Sequence, residues 1–225
     1  MKLGRLSFAA YLRLNTTSSP SFPSPYPPLA ISTVILMYKN TFLSETVSLL
    51  FTADPKPLQS WDKSVRNGHI KRLVDHEIQC SVLELHAINI DTVFISCPLD
   101  PNQTLAIRLP VLVLLVKNLD KYFGLEVKVL DSKGVARRFR AANDQSMTEI
   151  TPELCSMPLR LDPGWNSVTI NLAEFTNMAF GTEYVEIQRL KVHANCRLRQ
   201  VYMSEKIIPE ESLKPEFKLY FPLQK

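Results

Sequence analysis

Residues 190–199 read Leu-Lys-Val-His-Ala-Asn-Cys-Arg-Leu-Arg, the stretch that most limits what this chain can fold into. One parity (Leu190, Val192, Ala194, Cys196, Leu198) is apolar, and the other (Lys191, His193, Asn195, Arg197, Arg199) is polar. A period of two puts such sets on opposite faces of a sheet, one toward a core and one toward solvent. Shorter alternations recur at Leu83–Leu85, Val93–Ile95, Leu105–Ile107–Leu109, Leu125–Val127–Val129, Val168–Ile170–Leu172 and Phe217–Leu219–Phe221. The turn chemistry agrees. Asp131-Ser-Lys-Gly134 reads as a hairpin loop, and Asp162-Pro-Gly-Trp165 has Pro and Gly where a type II turn wants them. Asn67-Gly68 and Asp100-Pro-Asn102 are further turns. Helical signals are few: Asn40 to Leu50, Leu172–Phe180, and one turn at Pro209-Glu-Glu-Ser-Leu213. Many short strands with few helices predict an all-β fold, an antiparallel jelly-roll-like β-sandwich with one or two short helices.

Several function classes find no support. The longest strongly apolar run, Leu109 to Val116, is interrupted by Pro110 and is far below the ~20 residues of a membrane-spanning helix. Six glycines are few for a phosphate-cradling loop. The chain has no Gly-x-Ser-x-Gly elbow and no His-Glu-x-x-His pair, so no catalytic residues are assigned. Cys80, Cys97, Cys155 and Cys196 read as reduced, and most of them as small core residues. His193 and Cys196 are a close pair, but a structural zinc needs four ligands and residues three apart on a strand face opposite ways, so no metal or other cofactor is expected. Asp75-His76-Glu77 reads as a polar turn, and Glu210-Glu211 as solvated charge.

The net charge of +4 is unevenly placed. Residues 1–36 carry Lys2, Arg5 and Arg13 with no acid, and crowd Pro20, Pro23, Pro25, Pro27 and Pro28 among serines. That extension reads as disordered or transit-like, or as upstream sequence ahead of a functional start at Met37. Residues 37–225 read as one β-sandwich domain with a net charge of only +1, so any basic character must come from clustering. Arg137-Arg138-Phe139-Arg140 puts Arg138 and Arg140 on one face and Arg137 on the other. If residues 190–199 form one strand, Lys191, Arg197 and Arg199 share a face with His193. Arg137, Arg138, Arg140, Lys191, Arg197 and Arg199 are therefore the candidate partner-binding residues: a cationic patch for an acidic surface, or an ordinary sheet face balanced by nearby acids. Nucleic acid is not the expected partner, because Phe139 lies opposite the arginines and cannot stack bases beside them. Trp61 and Trp165 suit either a sugar-stacking platform or caps on the core.

The motifs go further. Lys56-Pro-Leu-Gln59, Trp61-Asp-Lys63 and Asn67-Gly-His-Ile-Lys-Arg72 resemble the opening of the cilia- and flagella-associated protein 20 family. The likeness continues in order through Lys117-Asn-Leu119, Lys121-Tyr-Phe123, Arg137-Arg-Phe-Arg-Ala141 and Gln145-Ser146. It then takes in Met157-Pro-Leu-Arg-Leu161, Gly164-Trp-Asn166, Val192-His-Ala-Asn-Cys-Arg-Leu-Arg199 and Glu216-Phe-Lys-Leu-Tyr-Phe-Pro222. Met37-Tyr-Lys-Asn-Thr-Phe42 resembles the family's usual amino terminus.

The resemblance implies a jelly-roll-like sandwich without known catalysis, cofactor, small-molecule substrate or membrane attachment. It implies a structural protein of the axoneme that bridges the A- and B-tubules at the inner junction of doublet microtubules and supports ciliary motility. Its implied neighbours are tubulin and the parkin co-regulated protein. Its implied locations are the cilium or flagellum, basal body and centriole, and in some organisms the nucleus. A diverged paralogue with a nuclear or cytoplasmic role is the alternative, because this chain departs from the pattern. It lacks the family's basic pair near Asn177-Met178, a third Arg where Gln200 stands, and a cation where Glu149 stands.

Overall fold

The computed structural model describes residues 45–214 and 217–218. The strands are β1 (Thr46–Phe51), β2 (Asp62–Val65), β3 (Gly68–Asp75), β4 (Cys80–Ala87), β5 (Val93–Cys97), β6 (Val111–Asn118) and β7 (Gly124–Asp131). They continue with β8 (Ala136–Ala142), β9 (Glu149–Ile150), β10 (Leu154–Pro158), β11 (Gly164–Asn171), β12 (Tyr184–His193) and β13 (Cys196–Ser204). A six-stranded sheet runs β11-β6-β13-β4-β3, with β1 also on β13; a seven-stranded sheet runs β2-β5-β12-β7-β8-β10-β9. All pairs are antiparallel except β8 with β10, which is parallel, so the second sheet is mixed. The all-β sandwich expected from the alternation is what forms.

Both sheets turn one parity inward. Leu112, Leu114 and Val116 of β6 and Leu83 and Leu85 of β4 share one continuous core with Leu125, Val127 and Val129 of β7, Ile95 of β5 and Leu190 of β12. Cys97, Cys155 and Cys196 lie in that core as free thiols, and burial pushes Cys97 up to about 12 and Cys155 up to about 11. The one α-helix among the described residues, α1 (Leu172–Phe180), has the span that the sequence predicts. Asn171 caps its start by accepting from the N–H groups of Ala173 and Glu174, and Gly181, in the left-handed region, ends it. Phe175 and Phe180 pack on the Phe139 ring, closing one end of the core.

Four expectations change. Residues 190–199 are not one strand: β12 belongs to the seven-stranded sheet and β13 to the six-stranded one, and the chain crosses between them at Ala194 and Asn195. The apolar parity runs on unbroken because both sheets face the same core. The outward parity splits, so Lys191 and Arg197 lie on opposite outer faces. Leu105–Leu109 makes only an isolated bridge, Ile107 to Ile187, because Ala106 has a positive φ and Pro110 follows. Thr46–Phe51 is a strand rather than part of a helix, since Val47, Leu49 and Leu50 reach the core; residues 40–44 lie outside the described residues, as do Leu219 and Phe221. The one turn expected at Pro209–Leu213 forms, as a 3-10 turn over Glu210–Ser212, but Pro209 stands at its cap rather than in its first position.

The turns fall at the expected positions. Gly134 and Gly164 take positive φ in the two loops assigned to them, and Asn67 does so at the β2–β3 turn. Gly68 is required by close approach: a Cβ there would sit 2.1 Å from the carbonyl oxygen of His86.

Candidate functional site: two charged sheet faces

The outer face of the six-stranded sheet carries a closed network. Asp75 is 0% exposed at its centre. Arg197 Nη1 donates to Asp75 Oδ2 at 2.7 Å, Lys117 Nζ donates to the same oxygen at 3.1 Å, and Trp165 Nε1 donates to Oδ1 at 3.3 Å. Arg197 Nε also donates to Glu84 Oε2 at 2.7 Å, and Lys117 reaches Glu77 at 2.9 Å. His69 sits 3.0 Å from Glu84 and stacks on His86, which lies 2.7 Å from Lys121 Nζ. Burial alone would raise the Asp75 carboxyl, but the bonds from Arg197, Lys117 and Trp165 outweigh it and hold that carboxyl well below the usual range. Glu84 is lowered in the same way, with burial opposed by His69 and Arg197.

This face corrects several readings. The polar turn expected at Asp75–Glu77 holds for the exposed His76 and Glu77, but Asp75 is the buried last residue of β3 and organises the network, and Ile78 of that turn folds down onto Val82, Leu115 and Trp165. Arg197 is bound to two carboxylates. Arg199 is 0% exposed in a bulge of β13, its guanidinium 5.7 Å from the Phe51 ring centroid, and does not present itself to a partner. Trp61 is buried too, donating to Leu49 O at 2.8 Å, so with Trp165 also buried the sugar-stacking platform does not exist.

The seven-stranded sheet is built differently. Its register lines up one row across all seven strands: Asp62, Ser96, Lys191, Glu126, Arg140, Ser156 and Glu149. Glu126 stands between Lys191 and Arg140 in that row, 2.9 Å from His193 Nε2 and 3.8 Å from Lys191 Nζ, and the His193 bond holds its carboxyl low against burial. Lys191 also lies 4.2 Å from the Phe94 ring centroid. The neighbouring row places Lys128 directly opposite Arg138. Lys128, Arg138 and Arg140 are exposed, and none makes an ion pair among the described residues. Arg137 lies on the other parity as expected. It is paired with Asp131 at 2.7 Å, bonded to Pro152 O and stacked on Phe180, so it closes the sandwich end. Arg189 leaves the face to donate to Ser96 Oγ and to the carbonyls of Pro98, Asp100 and Gln103, pinning that loop.

Of the six candidates, the structure brings Arg138 and Arg140 together in the open, with Lys191 two strands away across Glu126 and half-engaged. Lys128 was missed, although folding the hairpin about Asp131–Gly134 already pairs it with Arg138. Among the positions where the resemblance expects cations, Glu149, Asn177 and Met178 are exposed, and Gln200 is buried, so its change alters the interior. His193 and Cys196 face opposite ways, and among the described residues no group of three or more His, Cys, Asp or Glu is placed to hold a metal.

Fold and faces define a β-sandwich whose broad outer surfaces, rather than a cleft, carry its organised charge. The chain belongs to the CFA20 domain family, whose profile matches residues 37–221. It is 55% identical over 189 residues to cilia- and flagella-associated protein 20 of Chlamydomonas reinhardtii, covering 84% of this chain and 100% of that one. The Paramecium tetraurelia protein of that name is 54% identical, covering 84% and 99%, and the Caenorhabditis elegans protein is 50% identical, covering 84% and 93%. Among solved structures, an exo-beta-agarase overlaps 72% of this chain and 25% of its own at 9% identity and a TM-score of 0.34, too slight a likeness to bear on function.

Proposed function

We propose that this chain is a non-catalytic structural protein of cilia and flagella, a staple between the A- and B-tubules at the inner junction of doublet microtubules. Tubulin and the parkin co-regulated protein are its proposed neighbours, and the axoneme, basal body and centriole its proposed locations. The relatives' names supply the organelle. The observation that carries the contact is the open cationic cluster of Lys128, Arg138 and Arg140 on a flat sheet face. Like charges directly opposite each other on a sheet are unfavourable, so Lys128 facing Arg138 is relieved when an acidic surface docks there. Tubulin surfaces are acidic and fit that need. Lys191 stands at the edge of the contact; Arg137, Arg197 and Arg199 support the fold behind it.

Co-sedimentation of the full chain with microtubules tests this. Pelleting at low salt that weakens at moderate salt, and is abolished by Arg138→Glu with Arg140→Glu while the melting temperature holds, is the expected result. Absence of pelleting, or pelleting indifferent to that double reversal, removes the contact.

A further inference from the structure

We propose that the β2–β3 edge of the sandwich docks an extended, acidic segment of another protein as an added strand. β3 ends the six-stranded sheet, paired with β4 over eight residues from Gly68 to Asp75 and unpaired on its other side among the described residues. β2 ends the seven-stranded sheet beside it, joined to β3 through Arg66 and Asn67. An edge strand turns half of its N–H and C=O groups outward, which is a template for main-chain pairing. No proline interrupts β3.

The edge is cationic on both of its faces. Lys71 lies on the parity of His69 and Leu73, and Arg72 on the other; Lys63 and Arg66 continue along β2 and the turn, with Lys56 just ahead. From Lys56 to Arg72 there are five Lys or Arg and one acid, Asp62. All five are exposed, and none makes an ion pair among the described residues. Val65 and Val74 are exposed along the same edge. Side chains of an added strand fall alternately on the two faces, so acidic residues of either parity meet a cation, and β-branched residues between them cover the valines.

Charge selects the occupant. Lysines on an edge repel a like edge, which disfavours a second copy of this chain. Its own undescribed ends fit no better, since residues 1–44 contain no Asp or Glu and residues 219–225 contain only Lys225 as a charge. Nucleic acid would answer the cations but has no peptide groups to continue the ladder. This surface is separate from Lys128, Arg138 and Arg140, so it stands or falls apart from the function proposed above.

The probe is a labelled synthetic peptide alternating Glu with Val, titrated into the full chain by fluorescence anisotropy and followed by hydrogen exchange. Expected are saturable binding, slowed exchange of β3 amides, and about tenfold weaker binding in Lys71→Glu with Arg72→Glu. Arg138→Glu with Arg140→Glu should leave it unchanged. Because Lys71 stands opposite Glu84, the pair Lys71→Gln with Arg72→Gln carries the same comparison if the reversal unfolds. Absence of binding, affinity that survives both edge variants, or protection at β7 and β8 instead of β3 overturns the proposal. So does tighter binding of a single-stranded oligonucleotide that protects the same edge.

Discussion

The two outer faces of this sandwich use the same residue types for opposite ends. On the six-stranded sheet, Arg197, Lys117, Glu84 and the buried Asp75 satisfy one another at 2.7–3.1 Å. On the seven-stranded sheet, Lys128 and Arg138 stand opposite each other, and neither is in an ion pair among the described residues. What separates the faces is burial. A carboxylate without water must collect donors, and it fixes the cations around it. Cations left in water keep their charge available but gain little from one another. The difference teaches that an arginine's exposure and partners, not its place in an alternating pattern, decide whether it can serve a contact. Reversing Arg197 or Arg199 therefore tests the fold, and reversing Arg138 or Arg140 tests the contact.

The sharpest way to break this comparison is Asp75→Asn. It leaves Lys117 and Arg197 facing a neutral amide and should cost about 3 kcal/mol in urea unfolding. A loss within ~0.5 kcal/mol, the range of an ordinary surface change, would erase the distinction between the faces.

The next test uses pH. Asp75 and Glu84 have folded values held below their unfolded ones, so their stabilisation is fully present above the unfolded carboxylate range and is lost as pH falls through the folded values. Unfolding free energy should stay level through neutral pH and drop below about pH 4, with a shallower drop in Asp75→Asn. Identical acid slopes in both proteins would place the acid sensitivity elsewhere.

The open face predicts smaller effects on stability. Arg138→Glu with Arg140→Glu should change unfolding by less than ~0.5 kcal/mol while weakening microtubule affinity roughly tenfold or more. Smallest of all, Lys128→Gln should raise stability by a few tenths, about 0.3 kcal/mol, by relieving the pair with Arg138, and should weaken microtubule binding slightly. A destabilised Lys128→Gln protein would mean that this lysine has a structural partner.

How much was legible follows from what periodicity can see. The sandwich and the hairpin at Asp131–Gly134 were readable because alternation and a turn glycine are local signals, and the short helix forms over the span expected for it, Leu172–Phe180. The crossing at Ala194 and Asn195 was not, since a chain that changes sheets around one core keeps its inward parity. That concealed the assignment of Lys191 and Arg197 to different faces. Asp75 was hidden for another reason. Its burial depends on Lys117, Trp165 and Arg197, which are distant in sequence and meet only through the pairings of β6, β11 and β13.

The crossing also bears on mechanics. Asn195 fastens it to its neighbours, accepting from Ala87 N–H at 2.7 Å and donating to Tyr122 O at 3.1 Å. Two sheets held only by apolar packing can be drawn apart or slid by a pull on their outer faces, because such contact has no direction. Here β12 and β13 are one continuous peptide, so tension entering through one layer passes along covalent bonds into the other. A part clamped between two rigid walls that move against each other would then yield first along its hydrogen-bonded margins, with its middle seam the last to give.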